Sequence, residues 1–257
     1  MQTSIPASRD PAAHYVLRLA DTCLILGQRL GEWCGHAPVL EEDIALTNTA
    51  LDLIGQARAL LTHAGQMSAP VHDEDQLAFL REERDYLNVT LVELPRGDFA
   101  FTVLRNAMLA TFLKLLWQRL VDSADAELAA IAGKAVKEAR YHQQHAGDWV
   151  VRLADGTAES RQRMEAALAQ LWRYTPELLE SDAVDEHAAA IGLGPRWSEL
   201  RAPWLADMTL LLDEAGLALP PDSAFRSTGK RGLHSEHMGH LLSEMQYLQR
   251  AYPGGAW

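Results

Sequence analysis

The 257-residue chain has little cysteine, few aromatic residues and a deficit of basic charge. It contains two cysteines and 7% aromatic residues. Cys23 and Cys34 are eleven positions apart on what we predict to be one helix, a rise of about 16 Å, which is beyond the reach of a disulfide. We therefore expect both cysteines to be buried thiols in a protein of a reducing compartment.

The charge balance is acidic, with 35 Asp and Glu against 23 Lys and Arg, a net charge of −12. Such a chain repels phosphate backbones and anionic lipid surfaces, which excludes nucleic acid and membranes as expected partners. No window is expected to reach the apolar length of a membrane span, and the start "MQTSIPASRDP" lacks the apolar core of a secretory signal. We expect a cytoplasmic protein.

No stretch alternates between apolar and polar residues for long enough to predict a sheet, whereas apolar residues recur at spacings of three and four almost throughout. In residues 11–33, for example, Val16, Leu19 and Cys23 begin one apolar stripe. The fold class predicted is all-α, with long antiparallel helices in a single domain at 11–257 after a flexible N-terminus at 1–10. Helices are expected at 11–33, 38–65, 74–92, 99–121, 124–154, 158–180, 196–215 and 233–251.

Three boundary residues carry further expectations. Gly65 suits the C-terminal cap of the second helix, and Asp98 suits the N-terminal cap of the fourth. Pro176 should kink or end the helix at 158–180. The stretch from 217 to 232, "LALPPDSAFRSTGKRG", is predicted to be irregular, with room for a short hairpin.

The segment "KEARYH" resembles half of an iron site, because Glu138 and His142 are four residues apart on a predicted helix. In di-iron helical bundles two helices each supply a Glu and two others each supply Glu-x-x-His. Here the apolar stripe places His142 inward, but Ala139 occupies the inward position three residues earlier. Glu138 lies on the flank, where a solvated salt link with Lys134 is the ordinary outcome.

The other helices have the same defect. The second predicted helix presents Leu53 and Gln56 where Glu and His would be needed, and the fourth contains no Asp or Glu between 99 and 121. Asp21 of the first helix lies off its apolar stripe. Four inward carboxylates cannot be assembled from these helices, so we expect no catalytic residue and no metal ligand in this chain.

At four places the sequence resembles the non-catalytic, structural subunit family of the multicomponent phenylacetyl-CoA epoxidases. These are "LGEWCGHAP", "LDLIGQAR", "KEARYH" and "GLHSEHMGHLLSEMQYLQR", at residues 30–38, 51–58, 137–142 and 232–250. The resemblance covers nearly the whole chain from about residue 13. It implies a ferritin-like helical bundle with additional C-terminal helices, as a structural subunit that pairs with a paralogous catalytic subunit in aerobic phenylacetate degradation. Self-association is a second option for a partner.

The resemblance also implies where the chemistry is held. The catalytic relative carries "DEAGH" where this chain has 52–56, and "EESFH" where it has 138–142. The iron ligands therefore do not transfer, and the degenerate positions are Leu53, Gln56, Ala139 and His142. The chain would be no enzyme on its own and would hold no cofactor. The di-iron site would belong to the catalytic partner, and flavin and iron–sulfur groups to a separate reductase.

Several residues allow two interpretations. His142 with His145, and His63 or Gln56, either bind an adventitious cation or are ordinary core and flank residues. The three histidines of "HSEHMGH" form either a surface zinc site or a polar helix start; they are His234, His237 and His240.

The loop "STGKRG" at 227–232 offers Lys230 and Arg231 to a coenzyme A phosphate or a partner, although it lacks phosphate-loop spacing and also suits a plain surface loop. Most tryptophans fall on apolar stripes and are expected in the core, with one or two left for a partner. The ones that we place in the core are Trp33, Trp117, Trp172, Trp197 and Trp204.

Three classes of function remain. The first is an iron-free structural subunit. The second is an active di-iron oxygenase with unusual ligands, against which the acid-free fourth helix argues. The third is an independent helical module that binds an acyl-CoA or an aromatic compound, and only the 227–232 loop supports it.

Overall fold

A computed structural model describes residues 4–255, and the chain divides into two compact units. Unit 1 comprises residues up to Pro95 and from Ser227 onward, and unit 2 comprises Arg96–Arg226. Across residues 4–255 the β-type pairing consists of one isolated bridge, between Thr228 and Leu233. The α-helices are α1 (Pro11–Gly31), α2 (Leu40–Gln66), α3 (Glu74–Phe79), α4 (Thr90–Glu93), α5 (Phe99–Leu120), α6 (Ala126–Ala154), α7 (Ala158–Leu171), α8 (Thr175–Leu178), α9 (Ala183–Ala190), α10 (Arg201–Glu214) and α11 (Glu236–Ala251).

Unit 1 is built on the pair α1 and α2, which run antiparallel because a connection of only eight residues, 32–39, joins them. Asp10 caps α1 by accepting a hydrogen bond from the Ala12 amide at 3.0 Å, and Pro11 occupies the first turn. Helix α1 is buried on nearly every face, as the central helix of a core is.

The prediction of one helix over 74–92 is wrong. The segment forms α3, a 3₁₀ turn at Glu83–Asp85 and the single turn α4. The backbone is extended at Tyr86 (φ −84°, ψ 144°), and the next amide, that of Leu87, donates to Asp21 Oδ2 at 2.8 Å. A buried partner on α1 thus replaces the hydrogen bonds that a continuous helix would have made.

The prediction for Gly65 is also wrong, since α2 continues to Gln66 and Met67 is its C-cap. A Cβ atom at position 65 would lie 2.0 Å from the carbonyl oxygen of His72. Glycine is needed here for the close approach of the returning chain and not for ending the helix.

Unit 2 is built on the antiparallel pair α5 and α6, against which α7 and α10 pack. Asp98 caps α5 as predicted, accepting from the Phe101 amide at 2.9 Å. The expectation that no window has the apolar length of a membrane span is wrong, because α5 passes that test by length and composition. It is 78% buried over the apolar window, as in the core helix of a globular unit.

The helix expected at 158–180 ends at Leu171, and Pro176 lies in the first turn of the short helix α8. Its role as a helix breaker is confirmed. Helix α9 was not predicted; its start is marked by a capping box between Asp182 and Asp185. The irregular stretch contains one 3₁₀ turn, Gly229–Arg231, closed by the bridge between Thr228 and Leu233.

The long antiparallel pairs α1/α2 and α5/α6, with the further helices α7–α11, confirm the predicted all-α, ferritin-like fold class. The single domain and the flexible residues 1–10 stay predictions. Residues 1–3 lie outside the described part of the chain, and within 4–10 the Ile5 amide donates to Leu80 O at 3.0 Å.

Candidate functional site

Helix α2 carries the first two degenerate positions, Leu53 and Gln56, both on its buried face and 1% and 5% exposed. Leu53 offers no atom to a metal. Gln56 Oε1 accepts a hydrogen bond from the Cys23 thiol of α1 at 3.6 Å, inside unit 1. A neutral amide oxygen is a weak ligand beside the carboxylates and imidazoles that iron prefers.

Helix α6 carries the other two, Ala139 and His142, which are 1% and 6% exposed. The sequence stripe therefore assigned the inward face of α6 correctly. Glu138 lies on the flank as predicted, with one carboxylate oxygen 3.6 Å from Lys134 Nζ, whose side chain is 80% exposed. On this helix the buried face offers one imidazole and no carboxylate.

Neither helix face offers the donors of a di-iron centre. Two of the four positions hold a hydrocarbon side chain, one holds a neutral amide, and α5 contains neither Asp nor Glu. Among residues 4–255, no three His, Cys, Asp or Glu side chains are grouped closely enough to hold a metal ion. A divalent cation buried on either helix face would have its charge left uncompensated.

Asp21 lies off the apolar stripe of its helix, which predicts an exposed side chain. In the structure its side chain has no exposed surface. Its two oxygens accept from the guanidinium of Arg81, and Oδ2 also accepts from the Leu87 amide at 2.8 Å. The Asp21 carboxylate is therefore fully used inside unit 1 as an anchor for the segment that follows α3.

Arg81 extends this contact into a wider network. Its Nε and Nη1 donate to the carbonyl oxygens of Leu77 and Asp85 at 2.6 and 2.9 Å, and its guanidinium lies 4.3 Å from the ring centre of Tyr86. Burial raises the pKa of Tyr86 to about 12, although Arg81 acts in the opposite sense. Gln246 of α11 donates to the Tyr86 hydroxyl at 2.8 Å, so the network also holds the C-terminal helix.

A second buried cluster of unit 1 joins Glu93 and His234, whose side chains are both 0% exposed. His234 Nδ1 lies 2.7 Å from Glu93 Oε2, and Nε2 lies 2.9 Å from the carbonyl oxygen of Tyr86. Because both ring nitrogens face acceptor oxygens, this geometry favours the protonated imidazolium, which can donate from both nitrogens. The Glu93 carboxylate also accepts hydrogen bonds from Asn88 Nδ2 at 3.0 Å and from the Ser235 amide at 2.5 Å.

The pKa of His234 is raised above its ordinary value. Burial by itself would lower it, but the hydrogen bond and the negative charge of Glu93 outweigh the loss of hydration. Of the histidines weighed for zinc, His234 therefore has both nitrogens engaged by the protein. His240 is exposed, and Ser235 caps α11 as expected of a polar helix start.

The two residues proposed for a phosphate or a partner differ in exposure. Lys230 is 4% exposed and its carbonyl oxygen accepts from Arg18 Nε at 3.2 Å, whereas Arg231 is exposed. Their loop is held tightly: a Cβ at Gly229 would lie 2.5 Å from the carbonyl oxygen of Asn88. Contact of Lys230 and Arg231 with coenzyme A or a partner stays a prediction.

Two other expectations concern the cysteines and the tryptophans. Cys23 is buried as predicted, but Cys34 is exposed, because it lies beyond the end of α1. All five tryptophans assigned to the core are buried, with exposures from 0% to 6%.

Sequence reasoning missed the buried charges Asp21, Arg81, Glu93 and His234. A signal was present for two of them, since Asp21 and Glu93 each interrupt an apolar run, "RLADTCLIL" and "TLVELP". A lone acid in such a run must be exposed or paired, and burial on both sides favours pairing.

Comparison with known proteins agrees with the sequence motifs. The family model described as phenylacetic acid catabolic protein matches residues 1–257. The C subunit of 1,2-phenylacetyl-CoA epoxidase from Escherichia coli (strain K12) is 49% identical over 243 residues, which span 95% of this chain and 98% of that protein. These two matches confirm the family resemblance found in the sequence, and the chain belongs to the phenylacetic acid catabolic protein family.

Proposed function

We propose that this chain is a non-catalytic structural subunit of a cytoplasmic phenylacetyl-CoA epoxidase, which pairs with and stabilises a related di-iron catalytic subunit. Its place in an epoxidase complex is supported by the identity with the Escherichia coli epoxidase protein over nearly both full lengths. The lack of its own chemistry is supported by one observation, the side chains at the four positions that match the family's iron ligands.

Those four side chains are Leu53, Gln56, Ala139 and His142, all buried. A di-iron centre that activates oxygen depends on several carboxylates to balance the metal charge. One imidazole and one amide leave that charge unbalanced, so the chain acts through contact. In this proposal the chain holds no cofactor, the iron belongs to the catalytic relative, and flavin and iron–sulfur groups belong to a reductase.

The test has two parts, assembly and turnover. The purified chain and the catalytic relative are mixed at micromolar concentration and separated by size exclusion. We expect one heteromer that buries at least about 2,000 Å², as obligate complexes do. Two species that elute independently would count decisively against the proposal.

For turnover, the chain receives reductase, electron donor, oxygen and phenylacetyl-CoA, with and without the catalytic relative. We expect epoxide only when the relative is present, because the chain alone has no site for oxygen. Product from the chain alone would instead support an active oxygenase with unusual ligands. Tight binding of phenylacetyl-CoA by the chain alone, without heteromer formation, would support an acyl-CoA-binding module.

A further inference from the structure

Helix α2 has a second apolar face besides the one that packs on α1. Four large apolar side chains on it are solvent-exposed: Leu40 at 72%, Ile44 at 53%, Leu51 at 61% and Ile54 at 36%. Ile54 lies at the edge of this face, because it also packs beside Gly27 of α1. With the half-buried Thr47 and the exposed Arg58, they form a row that we call the α2 stripe, and it follows steps of four, three, four, three and four. Single exposed apolar residues are ordinary, but a row along about five turns is a continuous surface.

The spacing of the α2 stripe is the heptad pattern by which one helix packs lengthwise on another. The core face of α2 uses other heptad positions, those of Leu46, Leu53 and Leu60, which are buried. Helix α10 offers a contrast, because Leu210, 70% exposed, is the one large apolar side chain exposed on that helix, and its neighbours in register are small or polar. The α2 stripe therefore has the form of a contact for a helix.

The charges at the two ends of the α2 stripe favour a second copy of α2 in the antiparallel orientation. Exposed Glu41 lies at its N-terminal end, and Arg58, with 75% of its side chain exposed, lies at its C-terminal end. Arg58 Nε donates to Glu74 at 3.1 Å, which keeps the guanidinium at that end. An antiparallel copy of the same helix would bring each Glu41 near the Arg58 of the other copy, whereas a parallel copy would set like charges together.

We propose that the α2 stripe is the contact of a two-fold homodimer in which α2 packs antiparallel on α2 of a second copy. The heptad positions then form layers that pair Ile44 with Ile54 of the second copy and Thr47 with its Leu51. Leu40 lies against the alkyl part of Arg58 of the second copy. Each layer occurs twice about the two-fold axis, which makes the surface self-complementary.

Sedimentation of the purified chain alone tests the dimer, over about 1 to 100 µM. We expect dimers in the wild type, a dimer dissociation constant raised at least about 30-fold by Leu51→Glu, and no change with Leu210→Glu, at a leucine on α10 that is 70% exposed against 61% for Leu51. A wild type that stays monomeric, or a Leu51→Glu variant that dimerises as well as wild type, overturns the proposal. Circular dichroism and thermal melting check that the variants are folded.

Cross-linking tests the register. In a Cys34→Ser background, which removes the exposed thiol, Thr47→Cys and Leu51→Cys chains are mixed and oxidised. We expect a disulfide between the two kinds of chain and much less within either kind. Efficient Leu51→Cys homodimers would indicate a parallel pair and overturn the antiparallel one.

The catalytic relative is the competing occupant of this surface. If Leu51→Glu abolishes binding of that relative while the wild-type chain alone is monomeric, the α2 stripe is a heteromer contact and the homodimer is wrong. That outcome leaves the proposed structural role intact. Failure of heteromer formation with a wild-type homodimer present would instead leave the stripe intact and overturn the structural role.

Discussion

Asp21 and Arg81, sixty residues apart in the chain, form an ion pair in which neither side chain has exposed surface. Burying two charges costs free energy that their attraction repays only when the remaining donors and acceptors are also satisfied. Here Leu77, Asp85 and Leu87 supply those partners through their backbones. The pair is therefore one fully bonded unit that fixes the chain between α3 and α4.

Removing one partner of this pair should be costly. Asp21→Ala leaves a buried guanidinium without its counterion, and we expect the free energy of unfolding to fall by about 3–5 kcal/mol. Urea denaturation measures the loss. In the double variant Asp21→Ala/Arg81→Met the loss should be smaller than the sum of the two single losses, because the second change removes the stranded charge. Strict additivity would contradict the coupling. Lys134→Met, at a lysine whose side chain is 80% exposed, is the matched control, with an expected change within about 0.5 kcal/mol.

The Glu93–His234 cluster should make stability depend on pH. The pKa of His234 in the folded protein is raised above its ordinary value of 6.5. Burial lowers this pKa, but the hydrogen bond and the negative charge of Glu93 raise it by more. Its contribution is complete below the pKa of the unfolded state and is lost as the pH rises through the higher folded value. We expect the free energy of unfolding to fall over that window.

His234→Gln isolates this contribution. The variant should be less stable than the wild type by about 2 kcal/mol at pH 6. Its free energy of unfolding should not show the decrease with rising pH that His234 causes in the wild type. His240→Gln, at an exposed histidine of the same helix, should follow the wild-type curve. Urea titrations at several pH values compare the three proteins, and parallel curves for wild type and His234→Gln would exclude a titrating pair.

Iron content tests the degenerate ligand positions. After anaerobic loading with ferrous iron and desalting, the chain should retain well under one iron per molecule, because Leu53 and Ala139 offer no oxygen and Gln56 is a weak donor. Elemental analysis provides the measurement. Close to two tightly held irons per chain would contradict both this prediction and the structural role.

Restoring a single carboxylate should not rebuild the site. Ala139→Glu places an acid on the buried face of α6, at a position that is 1% exposed. We expect a loss of about 2–4 kcal/mol in the free energy of unfolding, a raised pKa for the new carboxyl and no gain in iron. Arg140→Glu, on the exposed face one residue later, should be tolerated. Equal stability of the two variants would mean that position 139 is not a core position.

Gly65 should tolerate no side chain. A Cβ there would meet the carbonyl oxygen of His72 at 2.0 Å, a distance that requires the backbone to move. We expect Gly65→Ala to lower the midpoint of thermal unfolding. Gly133→Ala, in the interior of α6 with no atom within 4 Å of the new Cβ, should raise it slightly through helix propensity. A neutral Gly65→Ala would contradict the close approach.

Local pattern along the chain was enough to identify most of the helical segments and the buried side of each long helix. The stripe of α6 placed His142 and Ala139 inward, and Asp98 marked the start of α5, because periodicity and capping depend on residues within a few positions of each other. The four degenerate positions could therefore be named from the amino-acid order, and the family motifs could be matched along the chain.

Contacts between distant residues were set by the tertiary fold. Periodicity predicted one helix over 74–92. In the structure this helix is interrupted, because the buried Asp21 carboxylate on α1 accepts hydrogen bonds from Arg81 and from the Leu87 amide. The buried contact between His234 and Glu93 forms only because the chain returns to Glu93 141 positions later. A pairing of this kind depends on which segments meet in space, and no periodicity of three or four residues encodes it.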